Sequence, residues 1–346
     1  MSADIEKRKA DHLDLCATDE VAFRQRTTLL EHVRLVHQSL PEASYESIDT
    51  RVRLLGKELR APLLIAAMTG GHERAAEINR ALASIAEELG FAFGLGSQRA
   101  MQKHPATSWT YQVREHAPTA LLFGNVGVIQ ARDMPTAEIS RMVEDVGADA
   151  LCVHMNPAME LVQPEGDRDF SGGIQTFRRL WAELDVPVIA KETGNGISRE
   201  TAGQLRSAGI RYADTSGAGG TSWVGVETMR ADGDGRALGE ALWDWGIPTA
   251  VSVRYCVDAG LTTIATGGIR TGMDVARAIA LGASCAGIAR TVYQAFLQGG
   301  VDGARGFLRQ IERELRSVML LCGAKTIEEL QESPRIITGE LRDWLA

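Results

Sequence analysis

Two glycine-rich stretches late in the chain, Gly217-Ala218-Gly219-Gly220-Thr221 and Gly267-Gly268-Ile269-Arg270, have the composition of anion sites. Glycines let backbone N–H groups approach an oxyanion, and a neighbouring arginine adds a planar, permanently charged fork. Arg290, preceded by Ala289, offers a second guanidinium to the same anion. Further polar residues close apolar runs: Thr69, Ser97 with Arg99, Asn125, His154 with Asn156, and Lys191 with Glu192. A glycine turn taken singly is more often structural than functional. The weight of the set lies in its register, because each member falls where an apolar run stops.

Those runs are short and read as strands at 62–68, 92–96, 120–126, 150–155, 187–192, 212–216, 262–267 and 286–289. Between them, 73–89, 136–146, 199–208 and 271–281 carry apolar residues at helical spacing. Gly90, Gly209 and Gly282 follow three of these helices as C-terminal stops. Eight βα units on one chain predict an α/β fold, a (β/α)8 TIM barrel whose chemistry sits at the strand C-termini. The rival is a doubly wound open sheet, which wants G-x-G-x-x-G after its first strand. Here that turn reads Met68-Thr69-Gly70-Gly71-His72, Gly94-Leu95-Gly96 lacks the third glycine, and no Walker A sequence occurs. No low-complexity linker divides the 346 residues. The expected organisation is one domain over 1–346: an N-terminal extension (1–60), the barrel (61–300) and a C-terminal helical segment (301–346).

Composition narrows the function. Hydrophobic residues at 45% and charged residues at 24% supply a large core, which excludes disorder as the dominant state. With 37 Lys+Arg against 45 Asp+Glu the net charge is -8, so a general nucleic-acid binder is disfavoured. No apolar run approaches the roughly 18–20 residues of a membrane span, and the charged first residues have no apolar signal core. The five cysteines (Cys16, Cys152, Cys256, Cys285, Cys322) are dispersed, with no Cys-x-x-Cys, as expected of reduced thiols filling a core. The expectation is a cytoplasmic protein with a small-molecule substrate and neither a nucleic-acid nor a membrane partner.

Barrels commonly hold a phosphate after strands seven and eight. Gly267, Gly268 and Arg270, with Ala289 and Arg290 opposite, read as a grip on one phosphate, and Gly217 to Thr221 add amides. Thr69, Ser97, Asn125 and Lys191 ringed around the axis then suit a planar mononucleotide such as FMN. Lys191 would place a cation by the part of the ring that becomes anionic on reduction. No second nucleotide fingerprint exists for an adenylate half, which argues against FAD.

Longer runs carry a resemblance. They are Arg8-Lys9-Ala10-Asp11-His12, Ala67-Met68-Thr69-Gly70-Gly71, Gly96-Ser97-Gln98-Arg99, Gly124-Asn125-Val126-Gly127 and His154-Met155-Asn156. Gln163-Pro164-Glu165-Gly166-Asp167, Lys191-Glu192-Thr193-Gly194, Ser216 to Thr221 and Thr266 to Gly272 continue the match. The chain resembles the type 2 isopentenyl-diphosphate isomerases, FMN-dependent barrel enzymes, over nearly its whole length. The resemblance implies conversion of isopentenyl diphosphate to dimethylallyl diphosphate with reduced FMN as acid/base catalyst. It further implies Mg²⁺, NADPH or NADH as reductant, and a homo-oligomer (a tetramer or larger). By similarity, Ala67, Met68, Thr69, Ser97, Asn125, Lys191, Ser216, Thr221, Gly267, Gly268, Arg270, Ala289 and Arg290 hold FMN. Arg8, Lys9, His12, Arg99, His154, Asn156 and Gln163 bind the substrate, and Glu160 the metal. Spacing alone reads Glu227 and Arg230 as a surface i,i+3 ion pair, whereas the resemblance places Glu227 in a proton relay.

The chain departs from its relatives at one position. They carry glutamine beside the substrate's reacting carbons, and here Met159 stands there, just before Glu160. A thioether donates no hydrogen bond, and methionine is suited to filling space around extra carbon. The departure leaves open retained isomerisation, a bulkier or methylated prenyl diphosphate, or a protein that binds flavin and diphosphate with altered or lost activity. A 2-hydroxy-acid oxidase shares the barrel and late glycine loops, but its His-Arg pair is not found after strands six and seven.

Overall fold

The computed structural model describes residues 2–346, with side chains from Arg8 onward. Eight parallel strands close a barrel: β1 (Leu63–Ile65), β2 (Ala92–Gly94), β3 (Leu122–Gly127), β4 (Ala150–Met155), β5 (Val188–Glu192), β6 (Tyr212–Asp214), β7 (Thr262–Ala265) and β8 (Cys285–Ile288). Closure comes from β8 on β1, with Ala286 opposite Leu63 and Ile288 opposite Ile65. Both faces of the strands are covered, which is why they read as unbroken apolar runs. Leu64, Phe123, Cys152, Ile189 and Ile264 fill the interior. Leu63, Ile65, Phe93, Leu122 and Leu151 face the helices outside.

The helices that matter for the site are α1 (Ser2–Cys16), α2 (Glu73–Leu89), α3 (Pro157–Val162), α4 (Trp223–Arg230), α5 (Gly272–Ala280) and α6 (Arg290–Leu321). α2 shows how sequence sets such an element. His72 caps its start by accepting from the Ala75 N–H, and Gly90 ends it at φ 69°, a left-handed turn that glycine tolerates without strain. Ile78, Leu82, Ile85 and Leu89 between them form the buried stripe, each worth about 1.5–3 kcal/mol on full burial.

Several strands stop two or three residues before their expected ends, as at Ile65, Asp214 and Ala265. The backbone explains this. Ser216 has φ 33° and Gly267 φ 99°, values no strand permits, so these residues leave the ladder to become the rim. The extensions also hold more than helix. Val33–Leu35 pairs antiparallel with Arg335–Ile337, tying the two ends of the chain together. Val52–Leu54 and Lys57–Leu59 form a hairpin whose Leu54 and Leu59 plug the far end of the barrel. α6 is broken into two helical segments at Gly299 and Gly300, whose φ/ψ are non-helical, just before residue 301. All five cysteines are buried and unpaired, and among the described residues no helix is long and apolar enough to cross a membrane.

Candidate active site

A cavity opens at the C-terminal ends of the barrel strands, roofed by α1. The residues assigned above by similarity to cofactor, substrate and metal line it, from Arg8 to Arg290. Of the Gly217–Thr221 loop, Gly220 and Thr221 do so, while Gly217, Ala218 and Gly219 lie behind. Met159 lines it too, and Glu227 stands one layer behind, reached through His12.

On the anion side the two glycine loops interlock. A Cβ on Gly220 would lie 2.3 Å from the Gly268 nitrogen, and one on Gly267 would lie 2.2 Å from the Gly217 oxygen. Thr249 Oγ1 donates to the Gly267 carbonyl at 2.6 Å and fixes the pair. Arg290, at the start of α6, is almost wholly buried, and among the described residues it has only long contacts of 3.4 Å, to the Thr18 carbonyl and Asp19. Burial lowers its pKa from the ordinary arginine value. Arg270 stands exposed at the mouth. A glycine cradle beside a nearly unpartnered buried guanidinium fits a phosphate group.

Around the axis, β5 carries Lys191 inward, where its Nζ lies 3.0 Å from Asp214 Oδ2. Thr266 donates to the other oxygen of Asp214. On the adjoining strands His154 Nδ1 and Asn125 Oδ1 are 2.8 Å apart. Burial, and then the cations Lys191, Arg99 and Lys9, push His154 down to about 3, so the ring is a neutral hydrogen-bonding group. Glu192 faces the other way and accepts four backbone N–H groups, from Thr193 to Gly196. The result is a rigid collar that presents Thr193 and Gly194 to the cavity.

The roof and the wall beneath it are rich in cations. Burial, and then the repulsion of Arg99, lower the Arg8 pKa. Among the described residues the Arg8 Nε is buried without a hydrogen-bond partner, as is Gln163 Oε1. Lys9 donates to the Ser97 carbonyl (3.2 Å) and to the Tyr111 hydroxyl (2.8 Å). Burial, with Arg8 nearby, drops it to about 7. In the wall, Glu160 accepts from Asn156 Nδ2 (2.9 Å) on one oxygen and from the Asp167 N–H (2.8 Å) on the other. Gly166 is required there, since a Cβ would meet the Glu160 carbonyl at 2.1 Å. Met159 offers Asn156 only a long sulfur contact of 3.7 Å. Among the described residues no group of three or more His, Cys, Asp or Glu could enclose a metal, so Glu160 stands as a single carboxylate.

Glu227 and Arg230 require a correction to the surface-pair reading. Glu227 is fully buried because α1 lies across α4. His12 Nε2 donates to Glu227 Oε1 at 2.7 Å, Arg230 holds Oε2 at 2.5 Å, and Arg230 in turn binds Asp11 at 3.1 Å. Burial opposes the Glu227 charge, but His12 and Arg230 outweigh it and hold the carboxyl below its usual value. Burial lowers His12 despite Glu227, so the link is a neutral imidazole donating to a carboxylate. His12 also meets Trp223 edge-on, with ring centroids 5.2 Å apart. Asp214, Tyr111 and Trp223 escaped the sequence reading, and Thr193 entered it only within a matching run. Tyr111 left an indirect trace, because a Cβ on Gly70 would sit 2.0 Å from its ring.

A closed barrel with an anion cradle and a hydrogen-bonding ring around its axis defines a flavin-binding enzyme class. The model of the FMN-dependent dehydrogenase family accordingly matches residues 1–264 and 174–337. The isopentenyl-diphosphate delta-isomerase of Methanothermobacter thermautotrophicus is 47% identical over 346 residues, covering 99% of this chain and 96% of that protein. That of Methanosarcina barkeri is 44% identical over 344 residues, covering 98% and 94%. A mandelate oxidase carrying an FMN adduct superposes with a TM-score of 0.65, covering 97% of this chain and 100% of that one; at 19% identity this shows a common fold only. The chain belongs to the isopentenyl-diphosphate delta-isomerases within the FMN-dependent dehydrogenase family.

Proposed function

We propose that the protein interconverts isopentenyl diphosphate and dimethylallyl diphosphate, using reduced FMN, Mg²⁺ and NADPH or NADH as reductant. We further propose a cytoplasmic setting and a homo-oligomer of at least four copies. The observation that carries the reading is the pairing, in one cavity, of a glycine cradle with a second cluster of cations in which the Arg8 Nε is buried with no partner among the described residues. One anion site suits the phosphate of FMN and the other a diphosphate. A 2-hydroxy-acid oxidase has no use for the second.

Gly220, Gly267, Gly268, Arg270 and Arg290 would hold the flavin phosphate. Thr69, Ser97, Asn125, Lys191, Ser216 and Thr221 would border its ring. When bound and reduced, the flavin supplies an electron-rich ring able to exchange a proton with the alkene. Arg8, Lys9, Arg99, His154, Asn156 and Gln163 bind and orient the diphosphate by charge-assisted and neutral hydrogen bonds. Glu160, already fixed through both oxygens, contributes one hard ligand to Mg²⁺, whose other ligands are diphosphate oxygens and water. α1 excludes water from the reacting carbons. His12 Nε2–H on Glu227 Oε1 is a short path for a proton at that edge of the cavity.

Met159 supports a refinement: the wall beside the substrate's carbons is apolar and able to take one extra carbon. Purified protein, reduced anaerobically, should convert isopentenyl diphosphate and its methylated analogue, and heat should release FMN identifiable by mass. Met159→Gln should lower turnover of the methylated substrate and raise that of the ordinary one. Conversion of neither substrate, with no solvent deuterium entering either, would overturn the reading.

A further inference from the structure

Asp214 lines no part of the cavity, yet its charge lies 3.0 Å behind the Nζ of Lys191. The sheet register dictates the pairing, because Lys191 and Asp214 are direct neighbours on β5 and β6. Lys191 retains 7% and Asp214 2% of their exposure. A buried lysine without a counter-charge gives up its proton, since desolvation penalises the charged form. The other groups packed around the pair serve less well. His154, beside Lys191 on β4, is neutral. Burial raises the thiols of Cys152, Cys256 and Cys285, so they carry no charge at neutral pH. Glu192 feels the Lys191 charge from the opposite face of β5. Burial pushes it up to about 7 and its Oε2 is taken up by the backbone collar, so it is a weaker counter-charge than Asp214 in contact with Nζ. Thr266 completes the arrangement: its hydroxyl donates to Asp214 and accepts from the Ser216 N–H, locking the carboxylate to the rim of β6.

We propose that Asp214 is the positioning residue that keeps Lys191 an ammonium and aims it into the cavity, so that a positive charge stands ready where a reduced flavin carries its negative charge. This rests on the FMN reading above. It assigns a task to a carboxylate that touches neither cofactor nor substrate.

The experiment counts protons taken up per FMN during two-electron reduction of the holoenzyme near neutral pH. In the wild type Lys191 is already charged, so uptake is that of the flavin alone. In Asp214→Asn the lysine is neutral while the flavin is oxidised and becomes charged on reduction, which adds up to one proton. Adding Lys191→Met to that variant should abolish the extra proton. Equal uptake in wild type and Asp214→Asn overturns the proposal, as does an extra proton that survives in the double variant. If Asp214→Asn does not fold, Asp214→Glu carries the test. Wild-type proton uptake with weaker FMN retention supports the proposal, and an extra proton overturns it. A wild type without flavin would instead fail the functional reading. A ¹³C titration of Lys191 in the full chain then decides the pairing: a pKa at least one unit lower in Asp214→Asn supports it, and an unchanged one overturns it.

Discussion

The two sides of the cavity are built from different material. The anion cradle is backbone: Gly217, Gly220, Gly267 and Gly268 approach so closely that a methyl group at any of them would strike a neighbouring main chain. The roof is side chain: α1 is held through Lys9 on Tyr111 and Ser97, and through Asp11 and His12 on Arg230 and Glu227. Backbone packing has no alternative arrangement of similar energy. A set of polar side-chain contacts on one helix can be made and broken as a unit. The cradle is thus suited to a permanent tenant, and the roof to one that comes and goes.

Substitutions should separate the two sides. The largest effect is expected from Gly220→Ala, whose methyl group would press on the Gly268 nitrogen. It should lose most of the flavin absorbance and destabilise the fold by about 3 kcal/mol, the upper end of ordinary single substitutions. Retained flavin and an unchanged melting temperature would break the comparison. Next, Glu160→Gln turns an amide N–H towards a donor, Asn156 or Asp167. Turnover should fall about 100-fold, as for losses around a metal site, with flavin content unchanged.

Smaller effects belong to the roof. Glu227→Gln weakens a charge-assisted bond worth about 1.5 kcal/mol, so the substrate KM should rise roughly tenfold. If Glu227 also relays a proton, kcat should drop by about 10²–10⁴ as well, and steady-state kinetics separate the two. Deleting residues 1–12 should raise KM and lower kcat while leaving Tm nearly unmoved, because Leu13 and Cys16, which anchor α1 in the core, remain. The smallest effect is a pH dependence. Docking of α1 lowers Lys9 from 10.5 to about 7, so the undocked helix binds more protons between those values. Docking should therefore strengthen as pH rises from about 7 towards 10.5, with no further Lys9 contribution below 7. Hydrogen-exchange protection of α1 measures it, and Lys9→Met should flatten the trend.

What could be read in advance follows the same division. The barrel and the cradle were legible because strand runs and glycines are local signals: Gly267 needs its φ of 99° whatever surrounds it. Met159 was legible as a departure only through the resemblance, which supplied the glutamine it replaces. The partners of the reading's own residues were not. That Lys191 meets Asp214 depends on a register between strands some 20 residues apart, and that Tyr111 receives Lys9 depends on contact across 102 residues. α1 is mostly polar and by itself reads as a solvated end. Only its seat on α4 reveals that Glu227 and Arg230 lie beneath it, and an i,i+3 spacing says nothing about depth.

The ribbon between Val33–Leu35 and Arg335–Ile337 sets an order of events on the ribosome. Val33–Leu35 emerges early, but the strand it pairs with follows roughly 300 residues later, about 15–60 s at ordinary synthesis rates. During that interval the barrel strands can assemble in turn while residues 33–35 lack their partner. The barrel strands can therefore pair on the nascent chain, whereas Val33–Leu35 must wait for the C-terminal strand. Protease protection of ribosome-bound chains should accordingly reach the barrel before it reaches residues 33–35.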